Sequence, residues 1–123
     1  MLCVNLYLQK LNLSNTKIDD KTTKILIKGI SQTRSLHSLV LSKNEITCGG
    51  AILLCQILAT PEQNIKSLHL DQNLIKEPGA KAIAKLLEIN NYLEILYLNL
   101  NQIPNKGRLW YSSIMVDGYD EIL

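Results

Sequence analysis

The residues able to do chemistry in this chain are few and scattered. His37 and His69 are the only histidines, and they occupy different positions of adjacent repeating segments, so they do not converge. A lone histidine of this kind reads as a surface or interface residue. His69 and Asp71 stand two apart, the closest approach to an acid–base pair, with no nucleophile to complete it. Cys3, Cys48 and Cys55 have no Cys-x-x-Cys spacing and no histidine at metal-binding distance in sequence. Cys48 reads as a loop residue and Cys55 as a small core residue. Gly49-Gly50 lacks the Lys-Ser/Thr ending of a phosphate-binding loop. The sequence therefore predicts no enzyme, no cofactor and no metal site.

Charge points the same way. The net charge of +2 is too small to argue for nucleic acid or a membrane surface. Lys24, Lys28, Lys81 and Lys85 fall at equivalent positions, but Ile52 and Gln56 interrupt them and no aromatics are interleaved, so they read as solvated lysines. An odd, sparse cysteine set is a poor disulfide framework and suits a reducing compartment. The N-terminus has no basic stretch ahead of an apolar one, and the apolar run from Ala51 to Ala59 is too short to span a bilayer. A cytoplasmic location is expected. Asn12-Leu13-Ser14 fits a glycosylation sequon, a common pattern that carries little weight in that setting.

What must position these residues is a repeat. Four segments share one spacing: Leu8, Leu11, Leu13, Thr16, Ile18; then Leu36, Leu39, Leu41, Asn44, Ile46; then Ile65, Leu68, Leu70, Asn73, Ile75; then Leu93, Leu96, Leu98, Asn101, Ile103. Their starts are 28, 29 and 28 residues apart. Leucines two apart point to one side of a short strand. The asparagine follows where the chain turns, and its amide can both donate to and accept from backbone groups left unpaired there. Asn44, Asn73 and Asn101 should stack as a ladder. Thr16 can do only part of this, so the first turn is expected to be looser. After each isoleucine the apolar period lengthens to that of a helix, as in Ala51, Leu54, Leu58 and Ala80, Ile83, Leu87. Pro78 suits a helix start.

This pattern resembles the leucine-rich repeat family, and the 28–29 residue period with a true helix resembles its ribonuclease-inhibitor-like subclass. The resemblance covers roughly residues 6 to 116. It implies an α/β solenoid, a curved horseshoe with parallel strands on the concave face and helices on the convex face. No repeat can bury its apolar face alone, so stability comes from stacking. A single domain over 1–123 is expected, with repeats about 8–35, 36–64, 65–92 and 93–116 and a C-terminal cap about 108–123. Leu2 precedes Leu8 as Ile30 precedes Leu36, so the chain is either part of a longer array or capped by Met1 to Tyr7.

If the resemblance holds, the variable strand residues face outward from the concave sheet. They form the columns Lys10, Ser38, Ser67, Ile95; Asn12, Val40, His69, Tyr97; and Ser14, Ser42, Asp71, Asn99, with Asn15, Lys43, Gln72 and Leu100 just beyond. The early columns are small and polar, the later ones apolar and aromatic. Val40, His69, Asp71, Ile95, Tyr97, Asn99 and Leu100 are the candidate partner-binding residues, since a tyrosine beside aliphatics on a sheet face is the composition interfaces use. Trp110, the only tryptophan, is either part of the cap or an exposed anchor for a partner. The expected function is binding another protein in a heteromeric complex, occluding or regulating it, with an enzyme among the candidate partners. The alternative is a sensing or substrate-recruiting segment of a larger receptor or ubiquitin ligase. Short arrays of this kind are similar to those of secreted effectors of intracellular bacteria, delivered to the host cytosol, which would fit the Ile, Asn and Lys bias.

Overall fold

A computed structural model describes residues 7–61, 63–90 and 92–104. Strands and helices alternate: β1 (Lys10–Asn12), α1 (Asp20–Ile30), β2 (Ser38–Val40), α2 (Cys48–Leu58), β3 (Ser67–His69), α3 (Glu77–Ile89) and β4 (Ile95–Tyr97). The strands form one parallel sheet in the order β1-β2-β3-β4. Each strand pairs with the same position of the next repeat, so Leu11, Leu39, Leu68 and Leu96 form one row across the sheet. This is the expected α/β repeat architecture. The cap about 108–123, with Trp110, and residues 1–6 lie outside the described residues.

The core runs between the sheet and the helices. Leu39, Leu41, Ile46, Leu68, Leu70 and Ile75 are almost wholly buried, against Leu54, Leu58, Ile83 and Leu87 from the helices. In the first repeat Leu11 and Leu13 are only partly buried, because among the described residues nothing stacks on that side. α2 and α3 pack side by side, as do α1 and α2.

The asparagine ladder forms, and it binds backward. Asn44 Nδ2 donates to the carbonyls of Leu13 and Leu41 at 3.0 Å, while its Oδ1 accepts from the backbone N–H of Ile18 at 2.9 Å and Thr16 at 3.0 Å. Asn73 does the same to Leu41, Leu70 and Ile46, and Asn101 to Leu70, Leu98 and Ile75. Each asparagine thus stitches its own turn to the turn before it. Thr16 has one hydroxyl for this task and gives it to Leu13 O at 2.6 Å. Its turn also places Lys17 at φ 58°, a left-handed residue the other turns do not need.

A second set of side chains works on the strand-entry side. Ser35 Oγ donates to Leu8 O at 2.7 Å, and Asn64 Nδ2 donates to Arg34 O at 3.2 Å. At the helix starts, Asp19 caps α1 by accepting from Thr22 N–H at 2.9 Å, which holds its carboxyl below the usual carboxylate range. α2 has no such cap of its own. Instead Asp20 reaches across from the first repeat and accepts from the backbone N–H of Thr47 at 2.8 Å and from its hydroxyl. A carboxylate beside a helix N-terminus is favoured by the helix dipole. Cys48 is the first residue of α2, not a loop residue, and its Sγ accepts from Lys76 N at 3.4 Å in the equivalent place one repeat on.

This close stacking explains the glycine before each helix alanine. A Cβ on Gly79 would lie 2.8 Å from Ile75 Cγ2 and 3.1 Å from the Cα of Cys48. In the first repeat the equivalent residue is Thr22, which is exposed. Helix propensity alone favours alanine over glycine by about 1 kcal/mol. Gly79→Ala is nevertheless expected to lose roughly 1–3 kcal/mol through forced separation of α2 and α3. A urea-unfolding midpoint that rises instead would refute this.

Candidate protein-binding surface

The strand residues between the buried leucines form one outward face. The register pairs Lys10 with Ser38, Ser38 with Ser67 and Ser67 with Ile95, and aligns Asn12, Val40, His69 and Tyr97 in the next column. Two columns expected from the spacing therefore exist as rows of neighbours. The third is carried by backbone bonds, with Lys43 N–H donating to Asp71 O and Gln72 N–H to Asn99 O.

The face is uneven. Val40 is only 8% exposed and forms the floor beside His69. The rings of His69 and Tyr97 lie with centroids 4.6 Å apart, tilted by 44°. Tilted aromatic pairs at this distance hold each other in place. His69 Nε2 is 3.1 Å from Ser67 Oγ. Burial lowers the pKa of His69 more than Asp71 raises it, so the ring is neutral at neutral pH. Ile95 and Asn99 are half-buried on β4 and just after it. Asp71 accepts from Ser42 Oγ at 2.6 Å, linking the second and third repeats, and from Gln72 Nε2 at 3.3 Å.

Leu100 stands out. It is 66% exposed and sits at φ 60°. Asn15, Lys43 and Gln72, the same position in the earlier repeats, are also left-handed. The turn geometry dictates this, not the side chain. Asparagine tolerates such a backbone and leucine does not. Leu100→Asn is therefore expected to raise stability by about 1 kcal/mol, seen as a higher melting temperature. A lowered value would mean that the leucine side chain packs more than its exposure shows.

Six of the eight candidate residues thus lie on or at the edge of one face; Val40, expected to be offered to a partner, is instead buried beneath it by its neighbours, and Trp110 lies outside the described residues. Sequence reasoning did not anticipate a second apolar strip on the helix side. Ile52, Cys55, Ala59, Ala82, Leu86 and Ile89 line a shallow trench between α2 and α3, and Tyr92 extends it past the end of α3. The signal was present, since Ile52 stands where the neighbouring repeats carry lysine. Burial pushes the Cys55 thiol at this trench up to about 12, which keeps it protonated and unreactive at neutral pH. Among the described residues no group of His, Cys, Asp or Glu is gathered to hold a metal ion. No helix among them is long and apolar enough to cross a membrane.

A parallel sheet of short strands, a helix after each of the first three strands and a backward-bonding asparagine ladder define a stacked α/β repeat. A leucine-rich repeat family model matches residues 4–21 and 32–55. The chain belongs to the leucine-rich repeat proteins, in the ribonuclease-inhibitor-like subclass. It is 32% identical over 100 residues to human NACHT, LRR and PYD domains-containing protein 13, covering 81% of this chain and 10% of that protein. Human NACHT, LRR and PYD domains-containing protein 2 is 35% identical over 101 residues, with 82% and 10% covered. Mouse ribonuclease inhibitor is 30% identical over 112 residues, with 90% and 25% covered. The chain thus spans about a tenth of the first of these relatives and a quarter of the last. Among solved structures, leiomodin-1 actin-binding site 2 superposes with a TM-score of 0.73 at 20% identity, over 85% of this chain and 62% of that one, a likeness of fold.

Proposed function

We propose that this chain binds another protein through its concave face, weighted toward the third and fourth repeats, and occludes or regulates that partner. The observation that carries this reading is the His69–Tyr97 pair flanked by the half-buried Ile95 and the exposed, left-handed Leu100. An exposed leucine held in a backbone conformation it disfavours lowers stability, and such local cost persists where function needs the side chain. Aromatic anchors ringed by polar groups, here Asp71, Gln72 and Asn99, are what protein interfaces concentrate. Mouse ribonuclease inhibitor is named for blocking an enzyme, which supports an enzyme as one class of partner. The role is read as non-catalytic: Ser67 Oγ lies 3.1 Å from His69 Nε2, but Asp71 bonds Ser42 and Gln72 and makes no described hydrogen bond to the imidazole that would orient it as a base. The free thiols of Cys48 and Cys55 suit a reducing, cytoplasmic setting.

A pull-down from the native cell with wild-type protein, Tyr97→Ala and His69→Ala tests this. Each variant should fold, as judged by circular dichroism, and lose at least about tenfold in affinity, the usual scale for a buried aromatic anchor. Undiminished capture by folded variants would remove the concave face from the reading.

The coverage of the relatives favours a second reading. The same face would then be the sensing or recruiting segment of a larger receptor or ubiquitin ligase, since the matched proteins are several times longer. An immunoblot of the endogenous polypeptide separates the two by size.

A further inference from the structure

We propose that the concave patch captures an arginine side chain of its partner, the guanidinium paired with Asp71 and stacked on Tyr97, with apolar residues of the partner on either side covering Ile95 and Leu100. This rests on the concave face being the binding surface.

Asp71 is a half-buried carboxylate whose described partners are both neutral: the Ser42 hydroxyl at 2.6 Å on one oxygen and the Gln72 amide at 3.3 Å on the other. Among the described residues it has no ion-pair partner. A carboxylate offers about four acceptor positions, so each oxygen keeps capacity for one more donor. A planar guanidinium fits two parallel oxygens as a fork, which an ammonium cannot do.

The surroundings select the same group. Ser42 approaches from the β2 side. On the β4 side stand Tyr97 and Asn99, and neither donates a described bond to the carboxylate. Tyr97 pairs with His69 in register, and Asp71 lies two residues further along. Such diagonal neighbours on a sheet are roughly 7–8 Å apart. One guanidinium spans that gap, with its edge on the carboxylate and its plane on the ring, and arginine stacks on aromatic faces better than lysine. The neutral His69 does not compete for the acid. Lys10, the cation whose charge acts on His69, stands on β1, two strands away. Among the described residues the β4 face at Ile95, Tyr97, Asn99 and Leu100 is uncharged, with Ile95 before Tyr97 and Leu100 after it supplying apolar surface, so the arginine needs apolar neighbours to cover it.

The experiment pans a phage-displayed library of random dodecapeptides against the full chain, Asp71→Asn and Tyr97→Leu. Asparagine keeps an acceptor for Ser42, so the first variant preserves the internal bond. Wild-type protein should enrich peptides with arginine next to an aromatic or aliphatic residue. Asp71→Asn should lose the arginine and keep the apolar preference. Tyr97→Leu should lose the preference for arginine over lysine. A selected peptide remade with lysine should bind roughly tenfold more weakly. Competition on wild-type protein by N-acetyl-arginine methylamide, but not by its lysine counterpart, tests the same point without a variant. Tyr97-dependent apolar peptides without arginine would overturn this inference and leave the concave reading standing. An empty selection, or peptides indifferent to both substitutions, would overturn both.

Discussion

Asn73→Ala is expected to destabilise the chain by about 3–5 kcal/mol, measured as a lower free energy of urea unfolding. Asn73 is 4% exposed and sits in the middle of the ladder. Its amide donates to Leu41 O at 2.9 Å, Leu70 O at 3.1 Å and Asp71 O at 3.3 Å, and its Oδ1 accepts from Ile46 N–H at 3.1 Å. The losses are unequal. Leu41 O keeps Asn44, and Leu70 O keeps Asn101, because each carbonyl has two lone pairs and the ladder uses both. The N–H of Ile46 has no such reserve and becomes a buried donor facing methyl groups. An orphaned buried donor costs about 1–3 kcal/mol, and the lost bonds to Leu41 O and Leu70 O contribute about 1 kcal/mol each, the long bond to Asp71 O adding little. Asn73→Asp, the same size without the donors, separates the two parts. A cost near zero for alanine would show that water reaches this turn and that the ladder is ornamental.

Leu70→Ala comes next, at roughly 2–5 kcal/mol. Leu70 is 1% exposed and belongs to the row that faces the helices in the third repeat. Both neighbouring repeats stack on it, so the cavity cannot close by local movement, and incomplete collapse is what sets the upper part of that range. The effect should be cooperative. In a solenoid each repeat is stable only through its neighbours, so a void between the second and fourth repeats weakens both interfaces at once. Native-state hydrogen exchange should show protection falling on β2 and β4 together with β3. An unchanged melting temperature would contradict the placement of Leu70 in the core. The equivalent change at Leu13, which is only partly buried at the open side of the sheet, should cost less.

Neither variant should alter the outward face directly, because Asn73 and Leu70 point away from it. Any loss of partner binding should therefore track the fraction folded. That separates these changes from Tyr97→Ala, where binding falls while the fold remains.

Much of this was legible in the chain. The interval of 28 to 29 residues placed every described strand, and the leucines two apart told which side faces the core. Local stereochemistry suffices for that, since side chains alternate along a strand and return every few residues on a helix. The same alternation named the outward columns, and the sheet register then set them side by side. Other features were not legible, because they arise between repeats. Asp20 lies in the first turn of α1, and nothing in its local sequence shows that it accepts from Thr47 at the start of the following helix. Cys48 reads as a loop residue, yet it opens α2 and accepts from Lys76. The left-handed backbone at Lys43, Gln72 and Leu100 belongs to a turn that all four repeats share, Asn15 included, and lysine, glutamine and leucine give no sign of it.

The chain's own sequence determined the repeat, the inward face and the list of outward residues, because those follow from spacing along one segment. Only the tertiary structure decided which of those residues lie together. Stacking buried Val40 as a floor, brought the His69 and Tyr97 rings to 4.6 Å and tied Asp71 to Ser42 across two repeats. Contacts between residues about 28 apart in sequence depend on how closely successive repeats pack, and glycines, alanines and the asparagine ladder set that distance.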